Sequence, residues 1–89
     1  MRVSTDFILR EVAGEWLLVP VGDAAVKLRG LLGLSESGYL IYTLLQKGAD
    51  RQELLRAVLS EYKVDQATAE ADVDAFLGQM RSLGILLEA

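Results

Sequence analysis

Apolar and polar positions change rhythm along this chain, and the change divides it into a front and a back. Phe7-Ile8-Leu9-Arg10-Glu11-Val12 is rich in β-branched and aromatic residues and predicts a strand. Ala13-Gly14-Glu15 is a short turn. Trp16-Leu17-Leu18-Val19 predicts a second strand, closed by Pro20, which has no N–H for a ladder. Val21 to Lys27 is a connection with Gly22 and Asp23 in it, and Leu28 to Leu34 is a weaker third strand interrupted by Gly30 and Gly33. The early connections are too short for a helical crossover, so the strands pair antiparallel.

From Ser35 onward the spacing is helical. Ser35 is a good N-cap, Ile41, Leu44 and Leu45 share a face, and Gly48 ends a first helix of about Glu36 to Gln46. Asp50 with Glu53 three residues on has the form of a capping box. It opens a second helix with Leu54, Leu55, Val58, Leu59 and Tyr62 on one stripe. Asp65 caps a third, running from about Gln66 to Leu83, with Ala69, Val73, Phe76, Leu77, Met80 and Leu83 on its apolar side. Gly84 is its expected C′ residue, and Ile85-Leu86-Leu87 is a short apolar tail. None of these elements buries an apolar face alone, so sheet and helices must pack as two layers. The expected fold class is α+β, in the order βββααα.

Composition limits the chemistry. The 89 residues make one domain, expected to span 1–89, and 52% of them are hydrophobic, too many for a disordered chain. There is no Cys and no His. That excludes disulfides, thiolate nucleophiles, imidazole bases, most zinc sites and cysteine-held iron–sulfur clusters, so no cofactor is expected. Neighbouring acids such as Asp72 and Asp74 stand at i, i+2, which do not face each other on a helix, and a solvated face explains them. Net charge is −4, and Arg2, Arg10, Lys27, Arg29, Lys47, Arg51, Arg56, Lys63 and Arg81 are scattered. This is not the basic stripe that supplies affinity for phosphates, so no nucleic acid is expected as a partner. No apolar run approaches the ~18–20 residues that cross a membrane, and no signal core follows Met1. The expected location is cytoplasmic, away from membranes.

In order, spacing and length the chain resembles the PqqD-like proteins of peptide natural-product biosynthesis, also described as RiPP recognition elements. The residues that carry the resemblance are Phe7–Val12, Trp16–Val21, Leu34-Ser35-Glu36-Ser37-Gly38, Leu54–Tyr62, Ala71–Leu77 and Gly84-Ile85-Leu86. Ser35 stands where the family commonly has Asn, and Tyr42 where it often has Trp. The resemblance implies a winged-helix-like fold and no catalytic activity. It implies capture of the leader of a ribosomally made precursor peptide, which adds as a strand to the third strand beside the third helix. The partners implied are that leader and a maturation enzyme, often of the radical S-adenosylmethionine type.

The residues agree with such a groove without requiring it. Strand addition needs a free sheet edge. Arg29, Gly30, Leu31, Leu32, Gly33 and Leu34 would form it, with glycines that admit a close backbone. On residues alone, an ordinary edge strand with core leucines is the simpler reading, and the resemblance reverses that preference. On the third helix, one flank carries Glu70, Asp74 and Arg81 and is solvated; the other carries Thr68, Asp72, Ala75 and Gln79. Asp72, Phe76, Gln79 and Leu83 are expected to border the groove, although core packing explains Phe76 and Leu83 equally well. The competing functions are a winged-helix nucleic-acid-binding module and a dimerisation module, including a strand-swapped dimer through the open edge; a monomer is also expected to be possible.

Overall fold

The computed structural model describes residues 1–28 and 30–88. Nine elements follow one another: β1 (Arg2–Val3), β2 (Phe7–Val12), β3 (Glu15–Pro20), α1 (Asp23–Lys27), β4 (Leu32–Leu34), α2 (Glu36–Lys47), α3 (Arg51–Glu61), α4 (Gln66–Ser82) and β5 (Leu86–Leu87). The main sheet is antiparallel, in the order β2-β3-β4. The expected α+β order of three antiparallel strands and three long helices is therefore present, with additions.

Pairing sorts the sheet residues into two faces, because side chains alternate along a strand. Phe7 lies opposite Pro20, Leu9 opposite Leu18, Leu18 opposite Leu32 and Trp16 opposite Leu34. Phe7 and Leu18 on this face are buried, so it is the side that covers the helices. Ile41, Tyr42 and Leu45 of α2, Leu54 and Val58 of α3, and Val73 and Met80 of α4 complete the core, all at most 1% exposed. Trp16 of β3 stacks on Tyr39 of α2, ring centroids 4.1 Å apart, which ties sheet to helix where β4 ends.

Each long helix starts at the residue whose side chain can accept a first-turn N–H. Ser35 Oγ accepts from the Gly38 N–H (3.1 Å), and Asp65 Oδ1 from the Thr68 N–H (2.7 Å). Asp50 forms a full capping box: its Oδ1 accepts from the Glu53 N–H (2.8 Å), and its own N–H donates to Glu53 Oε1 (3.2 Å). Helix α4 ends in a Schellman motif. The Ile85 N–H donates to the Met80 carbonyl (2.9 Å) and the Gly84 N–H to that of Arg81 (3.1 Å), with Gly84 at φ 73°. Met80 and Ile85 are both buried beside this turn.

Three features depart from the sequence reading. The third strand is only Leu32–Leu34 rather than Leu28–Leu34, because Gly30 turns the backbone to φ 96°, which a strand does not admit. The expected Val21–Lys27 connection contains α1, a five-residue helix too short to display a 3.6-residue stripe. The apolar tail is strand β5, which pairs antiparallel with β1, Arg2 opposite Leu87 and Val3 opposite Leu86. The Ser4 N–H donates to the Ile85 carbonyl (2.7 Å) and the Ala49 N–H to that of Met1 (3.0 Å). The first residues thus join the α2–α3 corner to the segment after α4.

Candidate functional site

Strand β4 is the last in its sheet. It pairs with β3 on one side, and among the described residues no strand pairs with the other. Its side chains are committed: Leu32 and Leu34 share the inward face and are half-buried, while Gly33 faces outward beside Leu17. What remains open is the row of backbone N–H and C=O groups along one edge, which natural proteins usually cover.

Two hollows flank that edge. The first measures 160 Å³ and is walled by Phe7, Leu18, Pro20, Leu28, Gly30, Leu31, Leu32, Leu83 and Ile85. Its lining is apolar apart from backbone, and Leu31 stands 59% exposed at its rim. The second measures 250 Å³ and lies between the start of α2 and the middle of α4, walled by Ser35, Ser37, Gly38, Ile41, Asp72, Ala75, Phe76 and Gln79. Its shape depends on Gly38. A Cβ there would stand 3.1 Å from Phe76 Cε1 and 3.2 Å from Ser35 Oγ. The missing side chain lets the Phe76 ring lie against the first turn of α2.

The opposite flank of α4 is occupied by ion pairs. The Arg51 guanidinium donates to both carboxylate oxygens of Asp74, Nε to Oδ1 at 2.8 Å and Nη2 to Oδ2 at 2.9 Å, and lies 3.7 Å from Glu70. The Arg51 hydrogen bond holds the Asp74 carboxyl below its ordinary range. Arg81 pairs with Glu88. A guest on this flank would compete with those pairs; a guest on the Asp72 flank displaces none of them.

The structure therefore separates the expected site residues into two groups. Gly30, Leu31, Leu32 and Leu83 surround the apolar hollow, and Asp72, Phe76 and Gln79 surround the other, with Gly33 and Leu34 on the edge strand. Arg29 lies outside the described residues. Phe76 is half-buried, whereas its helix neighbours Val73, Leu77 and Met80 are buried, so it belongs to both core and rim. The sequence reading missed Phe7, Leu28 and Ile85 in the apolar hollow and Ser37, Gly38 and Ile41 in the other. Only Gly38 left a signal, as a glycine in the first turn of a helix, where a poor helix former needs a local reason.

With that geometry in view, the family can be assigned. The family model described as Coenzyme PQQ synthesis protein D (PqqD) matches residues 15–86. The chain belongs to the PqqD family. The match spans β3, the edge strand β4 and all three long helices. No curated protein sequence matches the chain. Among solved structures it is similar to TbiB1 in complex with the TbiA(beta) leader peptide, at a TM-score of 0.79 and 26% identity, over 100% of this chain and 99% of that one. It is also similar in fold to a lasso peptide synthetase B1 complexed with the leader peptide, at a TM-score of 0.77 and 21% identity, over 98% of this chain and 96% of that one. Among the described residues, no helix is long and apolar enough to cross a membrane, and no group of three Asp or Glu residues is placed to hold a metal ion.

Proposed function

We propose that this chain is a non-catalytic recognition protein for the leader of a ribosomally made precursor peptide. The leader adds as a strand to the free edge of β4, beside α4, and the chain presents the precursor to a maturation enzyme. The observation that carries this reading is the unpaired β4 edge with an apolar hollow at one end and the Asp72–Phe76–Gln79 hollow at the other. Family membership and the two leader-bound neighbours support it.

The division of labour follows from the chemistry. Main-chain hydrogen bonds to three residues of β4 set the direction and register of the guest and read no sequence. The 160 Å³ hollow accepts one large apolar side chain. Burying such a group is worth about 1.5–3 kcal/mol, more than the roughly 0.5–1.5 kcal/mol net of a hydrogen bond, so the anchor sets specificity. The chain has no Cys or His with which to perform the maturation chemistry, which fits a carrier working beside a separate, radical S-adenosylmethionine-type enzyme.

Titration of the ¹⁵N-labelled chain with leader peptides from neighbouring open reading frames tests this. The expected result is a set of amide shifts along Leu31–Leu34 and at Phe76, Gln79 and Leu83. Shifts confined to Glu70, Asp74 and Arg81 would overturn the placement. Self-association through β4 that a leader does not compete away would favour the dimerisation module instead.

A further inference from the structure

A third hollow opens beyond the Phe76 rim. It measures 280 Å³ and lies where α2, α3 and α4 meet. Val58, Tyr62 and Val64 form an apolar floor, and Glu36 and Asp72 stand at its wall. Ser35, Ser37 and Asp72 line both this hollow and the one under Phe76, so the two are continuous around the start of α2. A peptide that follows β4 past Asp72 reaches it over the residues the two hollows share.

The charge of this hollow decides its occupant. Glu36 and Asp72 are exposed, and neither takes part in an ion pair among the described residues. Glu61 is near as well, since it and Glu36 both help raise the Tyr62 phenol above its ordinary value, after burial. Against these stands the N-terminus of α2, equivalent to about half a positive charge. One of its N–H groups is already satisfied by Ser35 Oγ. Lys63, between Tyr62 and Val64 in the chain, is not among the lining residues; the two full negative charges on the wall outweigh the half-positive helix end, so the lining is net negative. An apolar floor below carboxylates suits a long side chain with a methylene stem and a cationic head. The ring of Tyr62 can add a cation–π contact.

We propose that this hollow is a subsite for a lysine or arginine side chain of the captured peptide, with its stem on Val58, Tyr62 and Val64 and its head between Glu36 and Asp72. The proposal deepens the peptide-capture reading and rests on it for the identity of the occupant. It extends specificity beyond the β4–α4 groove to Glu36, Val58, Tyr62 and Val64, with Asp72 shared by both: an apolar anchor at one end of the guest and a basic residue at the other.

The test uses single-residue probes, so it does not depend on finding the leader. Nα-acetyl-lysine N-methylamide is titrated into the ¹⁵N,¹³C-labelled chain, with the norleucine and glutamate counterparts as controls. The lysine probe is expected to shift the methyls of Val58 and Val64 and the Tyr62 resonances, norleucine to bind more weakly, and glutamate not at all. Glu36→Gln and Asp72→Asn should each weaken the lysine probe about two- to fivefold, the range of exposed ion pairs, and leave norleucine unchanged. In the unsubstituted chain, salt at ~0.5 M should weaken lysine but not norleucine, a readout that needs no variant. Equal binding of lysine and norleucine, insensitivity to salt, or shifts elsewhere would overturn the proposal. If lysine binds here and no leader peptide docks at β4, the capture reading fails and the cation subsite stands; the reverse result removes only the subsite.

Discussion

Tyr42→Phe should make this protein more stable. Tyr42 is 0% exposed, and among the described residues its hydroxyl has no hydrogen-bond partner. A buried polar group left unpaired carries a desolvation penalty of about 1–3 kcal/mol. Removing the oxygen leaves a void smaller than a methyl group, and a methyl-sized void costs only ~1 kcal/mol. The difference predicts a gain of about 1 kcal/mol, which for a domain of this size raises Tm by roughly 4–8 °C. Urea unfolding followed by circular dichroism, with calorimetry for Tm, measures it; the urea m-value should not change. The alkaline limb gives a second reading. Burial raises the Tyr42 pKa, so the folded state holds the phenol proton at a pH where the unfolded chain, titrating near 10, has lost it. That contribution is fully present below about pH 10 and is lost as pH rises through the folded value. The Phe variant lacks this loss, so its advantage should widen above about pH 10. A variant destabilised by about 1 kcal/mol at pH 7 would refute the reasoning, since the hydroxyl would then have a partner worth more than its burial.

Four further outcomes follow from single contacts. Gly78→Ala should stabilise by about 0.5–1 kcal/mol in urea unfolding, because Gly78 lies inside α4 and a Cβ there meets nothing within 4 Å. Gly38→Ala should move the Phe76 ring, visible as changed aromatic proton shifts, and weaken leader binding more than it lowers Tm, since its Cβ would stand 3.1 Å from that ring. Asp50→Ala removes a full capping box and should lower stability by about 1 kcal/mol, read from the urea midpoint. Asp74→Asn should flatten the acid limb of stability. The Asp74 pKa is depressed by Arg51, so its contribution is present above the ordinary Asp value and lost as pH falls through the folded one. The effect is small because the pair is exposed; a variant whose midpoint falls between pH 7 and pH 3 as steeply as the parent's would refute it.

The legible parts of the sequence were those whose cause is local. Ser35, Asp50 and Asp65 start their helices because a short oxygen-bearing side chain there reaches an N–H two or three residues on, within one turn. Gly48 and Gly84 end helices because the backbone passes through positive φ at each. The β2–β3 hairpin and the apolar stripe of α4 follow from spacing of the same short range. The likeness to the PqqD family was readable too, because it rests on the order of such signals.

What the sequence could not decide depends on contacts between distant segments. The pairing of Val3 with Leu86 joins residues at opposite ends of the chain, and two-residue strands have no alternation to read. Local sequence does not say whether Tyr42 packs in the core or at its rim; the packing of α2 against sheet and helices buries it and leaves its hydroxyl without a partner among the described residues. The third strand is shorter than its sequence pattern because Gly30 takes φ 96°, a conformation a glycine permits but does not announce. A wheel puts Asp72, Phe76 and Gln79 on one side of α4, but it cannot say that Ser35, Ser37 and Gly38 of the α2 start stand opposite them around one hollow. The chain by itself determined that a capped helix follows a glycine-flanked edge strand and that no thiol or imidazole is available for chemistry. Tertiary structure alone set α2 against α4 around the Phe76 hollow and brought Leu83 and Ile85 beside the sheet around the apolar one, because a groove is a relation between two surfaces and a sequence pattern describes one at a time.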